Sequence, residues 1–195
     1  LIPGSGVNIQ EYSLQPYPKN FHFLFVARIM KEKGIDQYLK MAAEIKAQFP
    51  QTYFHVLGKC TEEYRDVIQK YQKRGIIIYH GCVNNTRPYY SLACCVIHPT
   101  YYMEGMSNVL LEACASGRPA ITTNRPGCRE IVDDGIDGFI VREQDSNDLI
   151  KKVKKFIQMP YEQRCKMGLA ARKKVEKNFD RQIIVNQYIQ AINRK

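Results

Sequence analysis

The chain has no apolar run approaching the length of a membrane span and no signal-peptide pattern at its start. It has no internal repeat and no low-complexity segment. Its seven cysteines, Cys60, Cys82, Cys94, Cys95, Cys114, Cys128 and Cys165, are odd in number and include no C-x-x-C pair. The short, repeated ligand spacing of a structural zinc site is therefore missing, and the cysteines read as small core residues in a reducing cytosol. No Asp-x-Asp pair stands ready to hold a metal–diphosphate complex, so neither a metal nor a bound cofactor is expected.

Three phosphate- or ester-handling motifs are also missing. Gly58-Lys59-Cys60-Thr61 looks like the end of a P-loop, but Cys60 follows the lysine and Tyr53 occupies the earlier glycine position. Gly4-Ser5-Gly6 lacks the third glycine and the preceding strand of a dinucleotide fingerprint. Gly105-Met106-Ser107 runs into Asn108-Val109, so there is no nucleophile elbow. The four histidines, His22, His55, His80 and His98, fall in or at the ends of strands and read as packed or capped residues. The chain opens on Leu1, and the expectation is a piece of a longer protein that holds only half of an active site.

What is present is ordinary globular material: 195 residues, 45% hydrophobic and 25% charged, enough for one filled core. The net charge of +10 is unevenly spread. Residues 1–150 hold 16 basic and 16 acidic side chains, whereas residues 151–195 hold 13 and 3. A basic tail of this kind meets nucleic acid, an anionic membrane surface, or only water.

Two patterns alternate along the chain after a Pro- and Gly-bearing segment, 1–20, that reads as a linker. Short apolar runs at Phe21–Ala27, Tyr53–Leu57, Ile76–Tyr79, Cys94–His98, Pro119–Thr123 and Phe139–Val141 predict strands buried on both faces. Helical spacing between them predicts helices around Ile35–Ile45, Glu62–Lys73, Arg87–Leu92, Ser107–Ser116 and, briefly, Cys128–Val132. The tail predicts helices at Asp148–Gln158, Tyr161–Asn178 and Arg181–Asn193. This is an α/β class chain: a doubly wound parallel sheet, Rossmann-like, with C-terminal helices. Its main domain spans residues 21–178, and 179–195 forms a last helix. Ligands of such sheets sit beyond the carboxyl ends of the strands.

The most informative stretch runs from Glu104 to Pro119. Ser107 is a plausible N-cap for a helix that is apolar nearly all round through Val109, Leu110, Leu111, Ala113, Cys114 and Ala115. Glu112 is its one charged residue, and Asn108, Glu112 and Ser116 form a polar ridge. A carboxylate in a buried helix needs donors, which paired ribose hydroxyls would supply; otherwise the ridge faces water or a structural arginine. Gly105 admits a ligand close to the backbone. The free amides of Met106, Ser107 and Asn108 at the helix start favour a phosphate, and Glu104 beside them suits a hydroxyl-rich group on that phosphate. Arg28 and Lys33, after the first strand, are two cations able to hold a diphosphate, or else solvated loop charges.

These residues resemble the family-4 glycosyltransferases of the GT-B fold. Glu104 and Glu112 with Ala113-x-x-x-Gly117-x-Pro119 match that signature. Ala27-Arg28 with Lys33-Gly34, Gly81-Cys82-Val83, His98-Pro99-Thr100, Pro126–Glu130 and Gly138–Val141 extend the match over nearly the whole chain. Ala27 departs from the family's glycine. The resemblance implies a nucleotide-sugar-binding half of a retaining transferase that needs no metal. It gives Arg28 and Lys33 the diphosphate, the backbone at Val83 the base, and Glu104 the donor sugar. Gly105, Met106, Ser107, Asn108 and Val109 are placed around sugar and phosphate, and Glu112 at the ribose. It further implies a UDP-sugar donor, a glycan or lipid-linked acceptor in surface polysaccharide synthesis, and an N-terminal domain onto which the last helix packs. The isolated chain would then bind donor without transferring it, in the cytoplasm or at the inner face of the membrane. The alternatives are a sugar-nucleotide epimerase of similar architecture and a basic nucleic-acid module, the latter without any stacking motif to support it.

Overall fold

The computed structural model describes residues 4–103 and 105–193. Six strands form one parallel sheet in the order β3-β2-β1-β4-β5-β6: β1 (Phe21–Val26), β2 (Thr52–Leu57), β3 (Ile78–Tyr79), β4 (Cys95–His98), β5 (Ala120–Thr123) and β6 (Gly138–Val141). The helices are α1 (Ile35–Gln48), α2 (Arg65–Lys73), α3 (Arg87–Leu92), α4 (Asn108–Ala115), α5 (Ser146–Gln158), α6 (Tyr161–Asn178) and α7 (Arg181–Asn193). Alternation along the strands divides the core. Phe23 and Phe25 of β1 join Phe54, Val56 and the inner residues of α1, α2 and α5 on one face. Leu24 and Leu57 meet Tyr90 of α3 and Ala113 of α4 on the other, and α4 packs there against α6. The expected doubly wound parallel sheet, with helices on both faces, is what forms.

Strand order reverses between β1 and β4, so the loops leaving these neighbours diverge and open a crevice. Two glycines make that crevice possible. Gly34, at φ 78°, passes so near β4's exit that a Cβ would lie 2.1 Å from the Pro99 carbonyl oxygen. Gly58, at φ 136°, would place a Cβ 1.8 Å from the Ala27 carbonyl oxygen. No side chain fits either position.

Three local expectations are corrected. Cys128–Val132 is not a helix. Residues 126–131 are consecutive turns, with Cys128 N–H donating to Arg125 O and Ile131 N–H to Cys128 O, each three residues back. Glu130 turns back to accept from the Gly127 amide at 2.7 Å, which satisfies the turn locally. Ile76 and Ile77 are buried but lie ahead of β3, which pairs only His55 with Ile78 and Val56 with Tyr79. Of the cysteines, Cys94, Cys95, Cys114 and Cys128 are buried as expected, while Cys82 is exposed and Cys60 and Cys165 are half-buried. Burial pushes the Cys94 thiol up to about 12.

The segment 4–20 has neither helix nor strand, yet it is fastened down. Val7 N–H donates to Phe179 O at 2.9 Å, and Arg181 N–H donates to Val7 O at 2.9 Å, on either side of the α6–α7 junction. Arg172 of α6 donates from one nitrogen to the carbonyls of Ile9, Tyr12 and Ala115. Arg118, wholly buried, reaches Tyr90 O, Pro16 O and Ser91 O.

Candidate donor site at the sheet's switch point

The loops after β1 and β4 are stitched together at the crevice. The Glu32 carbonyl accepts from the amides of Tyr101 and Tyr102, both at 2.9 Å, and from the Thr100 hydroxyl at 3.3 Å. Arg125, after β5, donates to Tyr102 O at 3.0 Å and pairs with Glu143 at 3.0 Å. The loop that carries the Glu104 position is thus anchored from two neighbouring strands. Glu104 itself lies outside the described residues.

Arg28 and Lys33 come together as the sequence implied, through a partner it did not suggest. The Tyr102 ring has the Arg28 guanidinium carbon 5.6 Å and the Lys33 Nζ 4.4 Å from its centroid. The electron-rich face of an aromatic ring holds two cations side by side that would otherwise repel. Tyr102 is half-exposed in the crevice, and Met103 beside it is almost fully exposed.

The β4 loop runs on into the start of α4. Its first intrahelical bond runs from Leu111 N–H to Ser107 O, which leaves the amides of Asn108, Val109 and Leu110 at the positive end of the helix. Ser107 is the N-cap residue, but its side chain does not cap. Its hydroxyl meets His98 Nε2 at 3.3 Å, and its own amide is spent on Gly127 O at 3.0 Å. The expected free amide at Ser107 is therefore absent. Gly105 is exposed, with open space where a Cβ would be, and Met106 is half-buried against the Gly4 backbone.

Glu112 is half-buried one turn into α4. The Tyr90 hydroxyl donates to its Oε2 at 2.9 Å, and no cation pairs with it among the described residues, although Arg181 lines the same small cavity. Burial raises its carboxyl above the usual carboxylate range, while the hydroxyls of Tyr90 and Tyr12 hold it back. The ridge is only partly polar, since Ser116 is buried and turns its hydroxyl onto the Glu112 carbonyl at 2.9 Å. Val83 and Val109 are half-buried and pack against the Leu24, Leu57 and Tyr90 cluster, on the same side as Glu112.

The histidines take structural roles. His22, His55 and His80 form a hydrogen-bonded row across β1, β2 and the exit of β3, with both links 2.9 Å long. Burial and the two neighbouring rings hold His55 down to about 4. Among the described residues, no group of His, Cys, Asp and Glu has the geometry to hold a metal ion.

The sheet and its crevice define a Rossmann-like domain of the GT-B class. The chain belongs to the family "Glycosyl transferases group 1", which matches residues 9–174. It is 31% identical over 169 residues to a capsular polysaccharide biosynthesis glycosyltransferase, CapM, of Staphylococcus aureus, covering 85% of this chain and 44% of that protein. It is similar in fold to Anabaena HepE solved in complex with UDP, with TM-score 0.85, 18% identity, and coverage of 97% and 56%. It is also similar to the C-terminal domain of a group 1 family glycosyl transferase, LpcC, of Francisella tularensis, with TM-score 0.78 and 22% identity. That match covers 90% of this chain and 99% of the other. The chain spans about half the length of the curated relatives it matches.

Proposed function

We propose that this chain is the nucleotide-sugar-binding half of a retaining glycosyltransferase of surface polysaccharide synthesis. The donor is a nucleoside diphosphate sugar, with UDP-sugar the first choice. The acceptor is a glycan or a lipid-linked sugar brought by an N-terminal domain. The observation that carries this reading is that the switch point has two cations, a helix N-terminus and a half-buried carboxylate with which no cation pairs among the described residues. These suit, in turn, a diphosphate and a ribose. The relatives' names and the UDP bound to a protein of like fold support it.

Each residue then has a task. Arg28 and Lys33 neutralise the diphosphate as it leaves, and the α4 amides share its charge. Both are fixed before the reaction, so no reorganisation is required as charge develops. Glu104 takes donor sugar hydroxyls, Gly105 and Met106 give them backbone room, and the chain at Val83 meets the base. Glu112 accepts from the ribose. No metal is needed where fixed cations serve. The isolated chain binds donor and transfers nothing, because the acceptor side belongs to the other half.

Calorimetric titration with UDP, GDP and ADP tests this. One nucleotide binds, and Glu112→Ala weakens it by about 1–3 kcal/mol, the usual loss for a charged hydrogen-bond partner. Absence of binding by all three, or sustained transfer by the isolated chain, overturns the reading.

A further inference from the structure

The Glu112 side chain has three rotatable bonds, and two tyrosines from separate elements flank it, one donating to the carboxylate and one lining the same cavity. Tyr90, fully buried in α3, donates to Oε2 at 2.9 Å, with Val109 O a longer alternative at 3.4 Å for the same proton. Tyr12 belongs to the segment before β1. Its ring packs edge-on against Tyr90, with centroids 6.0 Å apart, and it lines one small cavity together with Asn108 and Glu112. Tyr12 is itself tied down. Arg172 donates from a single nitrogen to Tyr12 O at 2.8 Å and to Ala115 O, the last residue of α4, at 2.6 Å. The tyrosine and the helix that bears Glu112 therefore share one anchor.

We infer that Tyr12 and Tyr90 are positioning residues that aim the Glu112 carboxylate at the ribose and set the domain's preference for ribose over deoxyribose. The inference rests on Glu112 as the ribose acceptor, as proposed above. The chemistry favours phenols in this role. An ionised carboxylate has about four acceptor positions, and each phenol occupies one without neutralising it. An arginine would take two positions at once and cancel the charge that attracts vicinal hydroxyls. A phenol that has donated its proton still accepts, so the Tyr12 oxygen is a second landing point for a ribose hydroxyl.

The test measures affinity for the ribo and 2′,3′-dideoxy forms of UDP, GDP and ADP on the chain and on Tyr12→Phe, Tyr90→Phe and Glu112→Ala. Each phenylalanine variant keeps the ring and loses the hydroxyl. The expected result is a roughly 3- to 10-fold weaker ribonucleotide with the dideoxy form unchanged, the scale of one neutral hydrogen bond. Glu112→Ala should erase the preference altogether. Equal losses for both nucleotide forms would mean a merely structural role and overturn the inference. So would an unchanged ribonucleotide in both phenylalanine variants when Glu112→Ala erases the preference. A preference that survives Glu112→Ala overturns the ribose role of Glu112 and the inference with it. Tyr12 is only half-buried, so Tyr12→Phe decides the matter if Tyr90→Phe fails to fold.

Discussion

Glu112 shows how a single residue sets function against stability. Its carboxyl titrates above the usual range because it is buried, so between the ordinary carboxylate value and the raised one the folded chain holds a proton that the unfolded chain has released. Stability therefore falls as pH rises through that window, and at neutral pH the ionised group is a net cost to the empty domain. Glu112→Gln should melt higher than the wild type at pH 7, with each ~1 kcal/mol recovered worth about 2–4 °C in a domain of this size. It should also lose the fall in stability with pH above the ordinary carboxylate value, and bind nucleotide more weakly. Thermal melts across that range, beside one titration, check both halves. Glu112 was legible in the sequence because a lone charge in an apolar helix stands out. Tyr12, Tyr90 and Tyr102 were not, since each acts across 22 to 100 residues of chain and an isolated tyrosine carries no spacing signal. Ser107 misled for a related reason. Its position is that of a cap, but His98 and Gly127, brought close only by the fold, claim its hydroxyl and amide.

Among the elements, the loop between β1 and α1 is the most exacting. Gly34 ends a short 3-10 turn at Lys31–Lys33, begins α1, and passes against Pro99 in a left-handed conformation. Gly34→Ala must move the backbone that carries Lys33 and the Glu32 carbonyl, on which the β4 loop hangs. A loss of several °C in Tm together with at least tenfold weaker nucleotide binding is expected, measured by melting and calorimetry. An alanine that leaves both unchanged would show that the two loops are not coupled. The six strands and seven α-helices of the described residues were legible because burial on both faces writes continuous apolar runs and helices write a 3.6-residue period. The turns at 126–131 were misread as a helix because five residues hold too little period to tell a helix from successive turns.

At the scale of the whole molecule, the tail's charge is partly spent inside the fold. Lys152 pairs with Asp134, Lys154 with Glu44, and Lys174 with Asp133, all acids of the first 150 residues. Lys151, Lys155, Lys166, Lys173 and Lys177 remain exposed. No helix among the described residues is long and apolar enough to cross a membrane. For the exposed lysines we propose contact with an anionic membrane surface through charge. Co-sedimentation with anionic vesicles at low salt, lost as salt rises past the point where the Debye length is about 10 Å, is the expected result. No co-sedimentation at low salt would leave the lysines to water. That surplus was read correctly as a block, but its internal pairing depends on which acids the fold brings alongside α5 and α6.

The clasp at Val7 has a mechanical consequence. Its two backbone hydrogen bonds flank one residue and run to both sides of the α6–α7 junction, and Gly6 lies so close that a Cβ would meet the Phe179 oxygen at 2.8 Å. Tension applied along the leading segment is loaded onto both bonds together, in shear. It passes into α6 through Arg172 before it can peel Phe21 from the edge of β1. The segment behaves as a strap riveted to the C-terminal helices, and the sheet with its crevice is relieved of the load.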